Sequence, residues 1–227
     1  MKKLIAQFRN GFTLAEVLIT LVIIGVVAAL TIPTVINNTK DRELRTQFRK
    51  SYSVISQALN STEMNDFSGY AGCYFNDFSQ TNGINWVYSE CQNFYDAFFK
   101  RIQVQKVCRG NSKSDGCVPS YQTYNTVPAC QAFNQNYIDN VNFSYVLADG
   151  QIMNIYVETD RIYPLFLVDI NGHKGPNAYG KDLFSFSILK DNVTNNIYLT
   201  GDGLNSCSFP VTGGRTTKEM MQYALVK

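Results

Sequence analysis

The chain has 227 residues, enough for one folded domain plus an anchor, and its fifteen Phe, fourteen Tyr and one Trp are core material that excludes wholesale disorder. Three of its 20 basic residues, Lys2, Lys3 and Arg9, lie in the first eleven positions without an acid, and the other 17 nearly balance 18 acidic residues. A body this close to neutral offers no basic field, so nucleic acid is not indicated as a ligand.

From Phe12 to Val35 the chain carries a single charged group, Glu16. About 20 apolar residues cross a bilayer core, so this segment is long enough to span. A secretory signal also pairs a basic start with an apolar run, but it is cut after the run, at small residues. Here the run continues past Ala28 and Ala29 through Ile32 and Val35, which suits retention, and the small residue Gly11 lies ahead of it.

Beyond Pro33, Leu44, Phe48, Tyr52, Ile55 and Leu59 recur at steps of a helical face. One helix from Thr13 to Leu59 is expected, kinked locally at Pro33, which lacks a backbone donor. A membrane helix, a break and a separate surface helix is the alternative; the absence of Gly between Val26 and Asn60 favours continuity.

Glu16 is out of place in this setting. A carboxylate near a bilayer core costs several kcal/mol unless it stays at the interface or finds a partner. No Lys or Arg stands three or four residues away on the same helix. A cut between Gly11 and Phe12 would create an α-amine four residues from Glu16, able to neutralise it in cis or in a neighbouring copy.

The stretch "RNGFTLAEVLITLVIIGVVAALTIP" resembles the N-terminus of type IV pilins and of type II secretion pseudopilins. It has the short basic leader, the glycine, the aromatic residue, Thr-Leu-x-Glu, and an apolar run with a proline about twenty residues on. The resemblance implies that a prepilin peptidase cuts after Gly11 and N-methylates Phe12. It also implies that Glu16 registers subunits in a helical filament, with inner-membrane assembly machinery as a further partner. A leader (1–11), a transmembrane and polymerisation helix (12–35), its amphipathic continuation (36–62) and an extracytoplasmic head (63–227) are expected.

Orientation is contested within the sequence. Five basic residues, Lys40, Arg42, Arg45, Arg49 and Lys50, follow the apolar segment and three precede it, so a literal count of flanking charges favours a cytoplasmic head. The six cysteines, Cys73, Cys91, Cys108, Cys117, Cys130 and Cys207, argue the opposite. They form no CxxC pair, their spacings suit zinc poorly, and an even number in the body fits disulfides made in an oxidising space. Cys108 and Cys117 are the favoured pair because the polar, turn-rich RGNSKSDG between them folds back readily; buried thiols are the bland alternative.

In the head, residues 86–107 are expected to hold a second helix, with Phe94, Phe98, Ile102 and Val104 inward, and 109–135 an irregular stapled region. "NFSYVLADGQIMNIYVE" reads as a hairpin turning at Asp149-Gly150. "YPLFLVDI", "DLFSFSIL" and "NIYLT" read as three more strands, and sequential spacing implies an antiparallel sheet. The long helix would lie on that sheet through Phe48 and Tyr52, giving an α+β, pilin-like fold. Thr216 and Glu219 have capping-box spacing for a short final helix.

The loop "VDINGHKGPNAYGKDLFSF" offers Asp169, Asn171, Asn177 and Asp182. Oxygen ligands on a flexible loop suit calcium, and Asp169, Asn171 and Asp182 are the candidate ligands. EF-hand spacing fails at His173, and a turn using Asn and Gly in left-handed positions is the competing reading. His173 is the sole histidine, and no phosphate-binding glycine motif occurs. The expected function is therefore a structural filament subunit, not an enzyme. The alternative is a minor pilin whose head binds a ligand, with 109–135 as its candidate face.

Overall fold

The computed structural model describes residues 13–60, 92–122, 138–139, 143–155, 165–190, 197–201 and 210–226. The chain divides into two compact units, Met1–Glu43 and Leu44–Lys227. One helix, α1 (Leu14–Leu59), contributes its N-terminal part to the first unit and its C-terminal part to the second, and it continues through Pro33 as expected from the glycine-free run.

The second unit is built on one six-stranded antiparallel sheet: β1 (Val104–Arg109), β2 (Phe143–Leu147), β3 (Ile152–Ile155), β4 (Leu165–Asp169), β5 (Leu183–Lys190) and β6 (Ile197–Thr200). Strand order follows chain order, so each strand pairs with the one that precedes it in sequence. The β2–β3 turn falls at Asp149-Gly150, with Gly150 at φ 86°. Two more helices, α2 (Gln92–Lys100) and α3 (Thr217–Leu225), complete the unit.

One strand was not anticipated. α2 stops at Lys100, and Val104 opens β1 instead of extending the second helix. A short apolar run carries no decisive period; here pairing decides, because Val104–Arg109 finds a partner in β2 across a bulge between Val104 and Lys106.

The sheet buries both faces, and they differ in chemistry. Tyr145, Met153, Ile155, Phe166, Val168, Phe184, Phe186 and Ile188 belong to one apolar cluster with Phe48, Ile55 and Leu59 of α1, Phe94 and Phe98 of α2 and Met220 and Ala224 of α3. The alternate residues Ile152, Leu167 and Leu183 join Cys108, Cys117, Val118, Tyr121 and Tyr179 in a second cluster on the other face. That face also buries Ser144, Asn154, Asp169, Ser185 and Ser187.

Phe48 is the tightest link between helix and sheet. Its ring is fully buried, 4.9 Å from Phe184 edge-on and 5.5 Å from Phe186. Tyr52 lies only partly in the cluster, so the expected helical face is centred on Phe48 and Ile55. Phe48→Ala should lower the stability of the head by about 3–5 kcal/mol, the usual cost of emptying a buried Phe site, read as the shift in its urea unfolding midpoint at unchanged slope.

Candidate functional site

The first candidate site lies at the start of α1. Thr13 is its N-cap, and the Thr13 backbone N–H and hydroxyl both donate to Glu16 Oε2, at 2.9 and 2.8 Å, while Glu16 N–H donates to Thr13 Oγ1 at 3.3 Å. This is a capping box. It commits one carboxylate oxygen to orphan donors of the first turn and aims the side chain back toward the N-terminus. Gly11 and Phe12 lie outside the described residues, so the proposed cleavage bond is defined by sequence alone.

Around Glu16 the helix shows bare hydrocarbon. Leu14, Leu18, Ile19, Leu21, Val22, Ile23 and Leu30 are all more than half exposed in the single chain. An apolar surface of this extent is not left to water. It is long and apolar enough to cross a membrane by length and composition.

Sequence reasoning had not given Thr13 this role. The signal was present: the Thr-x-x-Glu spacing that marks Thr216–Glu219 recurs at Thr13–Glu16. At the C-terminal site Thr216 N–H and Oγ1 likewise donate to Glu219, at 2.8 and 2.9 Å.

The second candidate is the loop between β4 and β5. Both oxygens of Asp182 accept backbone N–H groups of its own loop, from Asn177 and Ala178 at 2.7 Å each. Asp169 Oδ1 accepts from Asn171 N at 3.2 Å. Asn177 stands at φ 51°, a left-handed position that Asn tolerates, and its amide nitrogen reaches Gly172 O and Lys174 O. Gly172, at φ 65°, has no room for a side chain: a Cβ there would sit 2.0 Å from Gly150 O in the β2–β3 turn.

These side chains close turns. A calcium ion takes about six to eight oxygens, and among the described residues no group of three or more His, Cys, Asp or Glu comes together to hold a metal. Asn171 Oδ1 is buried without a donor, but Asp182 is already spent on two backbone groups. The loop instead binds the head together: Asn177 O accepts from Gln122 N, Tyr179 O from Val211 N and Gly180 O from Arg215 N.

Burial raises Asp169 well above its ordinary value, reinforced by the negative charge of Asp182 nearby. Asp182 is also raised by burial, though its two backbone N–H donors pull the other way. The Tyr121 hydroxyl beside Asp169 is raised by the same desolvation.

Cys108, on β1, and Cys117 are joined, with Cα atoms 6.3 Å apart. Cys73, Cys91, Cys130 and Cys207 lie outside the described residues. Within the stapled segment Ser112, Cys117, Val118 and Tyr121 are buried, with Ser112 Oγ 2.8 Å from Ser144 Oγ, while Asn111, Lys113, Ser114 and Asp115 are exposed.

Residues 7–32 match the family model described as the prokaryotic N-terminal methylation motif, the signature of type IV pilins and pseudopilins. The match covers the anchor only. No curated protein matches the chain, and no solved structure matches its fold.

Two outcomes are expected. Thr13→Val removes the hydroxyl of the cap and should cost about 0.5–2 kcal/mol of first-turn stability, seen as faster amide exchange at residues 14–17, with Thr13→Ser restoring it. For Asp169, a folded pKa raised above the ordinary 3.8 means stability that is complete below 3.8 and lost as pH rises through the folded value. The unfolding midpoint of the wild type should therefore decline across that window more steeply than that of Asp169→Asn, which has no proton to lose; parallel curves would place the neutral acid elsewhere.

Proposed function

We propose that the chain is a structural subunit, pilin or pseudopilin, of a type IV pilus-like or type II secretion filament. Prepilin peptidase removes residues 1–11 and methylates Phe12. The processed chain waits in the inner membrane with its head in the periplasm, and inner-membrane assembly machinery then draws it into a helical polymer through residues 12–35.

The observation that carries this reading is Glu16. In the capping box only Oε2 is committed, in a helix whose neighbouring side chains are hydrocarbon. A buried carboxylate in that setting calls for a cation, and the α-amine of a processed Phe12 supplies it, in the same copy or the next. Apolar packing would give most of the cohesion and the ion pair the axial register. The Cys108–Cys117 disulfide supports an oxidising location for the head and answers the contrary count of basic residues.

A second reading, a minor pilin presenting a ligand, draws on one feature: an open pocket of about 480 Å³ on the head, lined by Val54, Ala58, Ile102 and Leu147 with Arg101 and Asp149 among its polar groups. Low copy number and ligand capture by the head would mark it. Neither reading assigns a catalytic residue.

Intact mass with N-terminal sequencing of membrane-extracted protein should show a chain beginning at Phe12 with one added methyl. Glu16→Ala should keep membrane insertion and abolish filaments in negative-stain images. Normal filaments from that variant would rule out the register pair.

A further inference from the structure

The charge of this chain is unevenly placed. Residues 40–50 and 215–219 together hold seven basic and three acidic residues, a net +4, while the rest of the chain beyond Gly11 is net −5. The positive share begins four residues after Ile36, where the apolar run ends, and so follows the membrane-spanning segment directly in the chain.

The fold gathers part of this charge into one surface on the head. Arg45 on α1 and Arg215, just ahead of α3, both set their guanidinium groups over the Tyr223 ring, at 4.6 and 4.2 Å from its centroid. Arg49 Nε donates to Ala224 O at the end of α3. Lys218 is exposed on the first turn of the same helix. Guanidinium groups held over a ring and gathered with a lysine make a concentration of positive charge suited to an anion. Arg45 Nε is buried without a hydrogen-bond partner among the described residues. Glu219, the acid within the patch, is turned to Thr216 in its capping box.

Along α1, Arg45 stands nine residues past Ile36, about 13 Å at 1.5 Å per residue. The headgroup layer is roughly 5–8 Å deep on each side of the hydrocarbon. An anionic leaflet attracts basic side chains within a Debye length.

We propose that Arg45, Arg49, Arg215 and Lys218 form a contact surface for anionic phospholipid headgroups, which holds the head against the leaflet until the subunit is extracted. This rests on the reading of the chain as membrane-anchored. It gives Arg45 and Arg49, two of the five basic residues after the apolar segment, a use on the outer side, where they otherwise oppose the orientation. Extraction into a filament would then break these lipid contacts as well as the apolar ones.

The test is amide exchange over residues 217–225 of the full-length chain in nanodiscs of phosphatidylcholine with or without phosphatidylglycerol. Exchange should slow with phosphatidylglycerol by about fivefold for each basic residue engaged, and high salt should remove the protection. Lys218→Glu, at an exposed position outside the packing, should weaken it, and Arg45→Gln combined with Arg215→Gln should abolish it; Arg45→Lys should keep most of it. Equal exchange in the two lipids, or protection unchanged in Lys218→Glu, overturns the proposal. Equal protection by inorganic phosphate in neutral discs overturns it in favour of a free-anion site. A chain that does not enter the discs overturns the anchor and this proposal together, whereas one that enters and exchanges alike in both lipids overturns this proposal alone.

Discussion

The structure depends on one helix whose two parts answer to different solvents. From Leu44 to Leu59, α1 buries Phe48, Ile55, Ala58 and Leu59 in the aromatic cluster of the head. From Leu14 to Ile36 the same backbone presents hydrocarbon that none of the described residues covers. The first part is a closed contact and the second an open one. Intrinsic propensity favours a helix in both, but a helix in water is stabilised mainly by burying one face. The part from Leu44 to Leu59 has its partner within the chain, whereas the part from Leu14 to Ile36 has no cover among the described residues.

The sheet turns this single contact into a stable head by burying both its faces with different material. The helical side is aromatic and closely packed, with Phe99 stacked on Tyr145 at 3.6 Å and Phe98 on Phe166 at 5.1 Å. The far side is a smaller cluster threaded with polar groups, Ser112 to Ser144 to Asn154, and Tyr179 to Ser185. Such groups are tolerable only when bonded, and bonding needs a cover of fixed geometry. The Cys108–Cys117 bridge and the β4–β5 loop supply it. This accounts for the density of Asn, Asp and Gly between Asp169 and Asp182, where backbone N–H groups and left-handed positions have to be met within a few residues.

Much of this was legible in the sequence. The helical face after Pro33, the Asp149-Gly150 hairpin, three later strands, the final capping box and the Cys108–Cys117 pair follow from local rules of period, turn and spacing. What was missed depended on pairing across distance. Val104–Arg109 has no period of its own and becomes a strand only because β2 accepts it. The burial of Ser144, Asn154 and Ser185 was hidden because polar positions on alternate strand residues look like a solvent face until a cover is known. At the anchor, a single carboxylate in an apolar run singled out Glu16, yet Thr13 was passed over because the oddity of the charge drew attention from its local partner.

The comparison of Glu16 with Glu219 shows why motif and function come apart. Both are third-position carboxylates in a Thr-x-x-Glu box, and both accept the N–H and hydroxyl of their cap through one oxygen. At Glu219 the cap holds the carboxyl below its ordinary range on a surface that water and Arg215 share, and nothing further is needed. At Glu16 the same bonds leave the second oxygen beside Leu, Ile and Val, where water is replaced as soon as the helix is covered. Covering strengthens every electrostatic interaction by lowering the local dielectric, so a carboxylate that is harmless in the lone chain becomes a demand for a cation in the packed one. The local motif sets where the carboxylate points. On the function proposed above, the α-amine of a processed Phe12 supplies the missing charge, because Phe12–Val35 holds no other charged side chain.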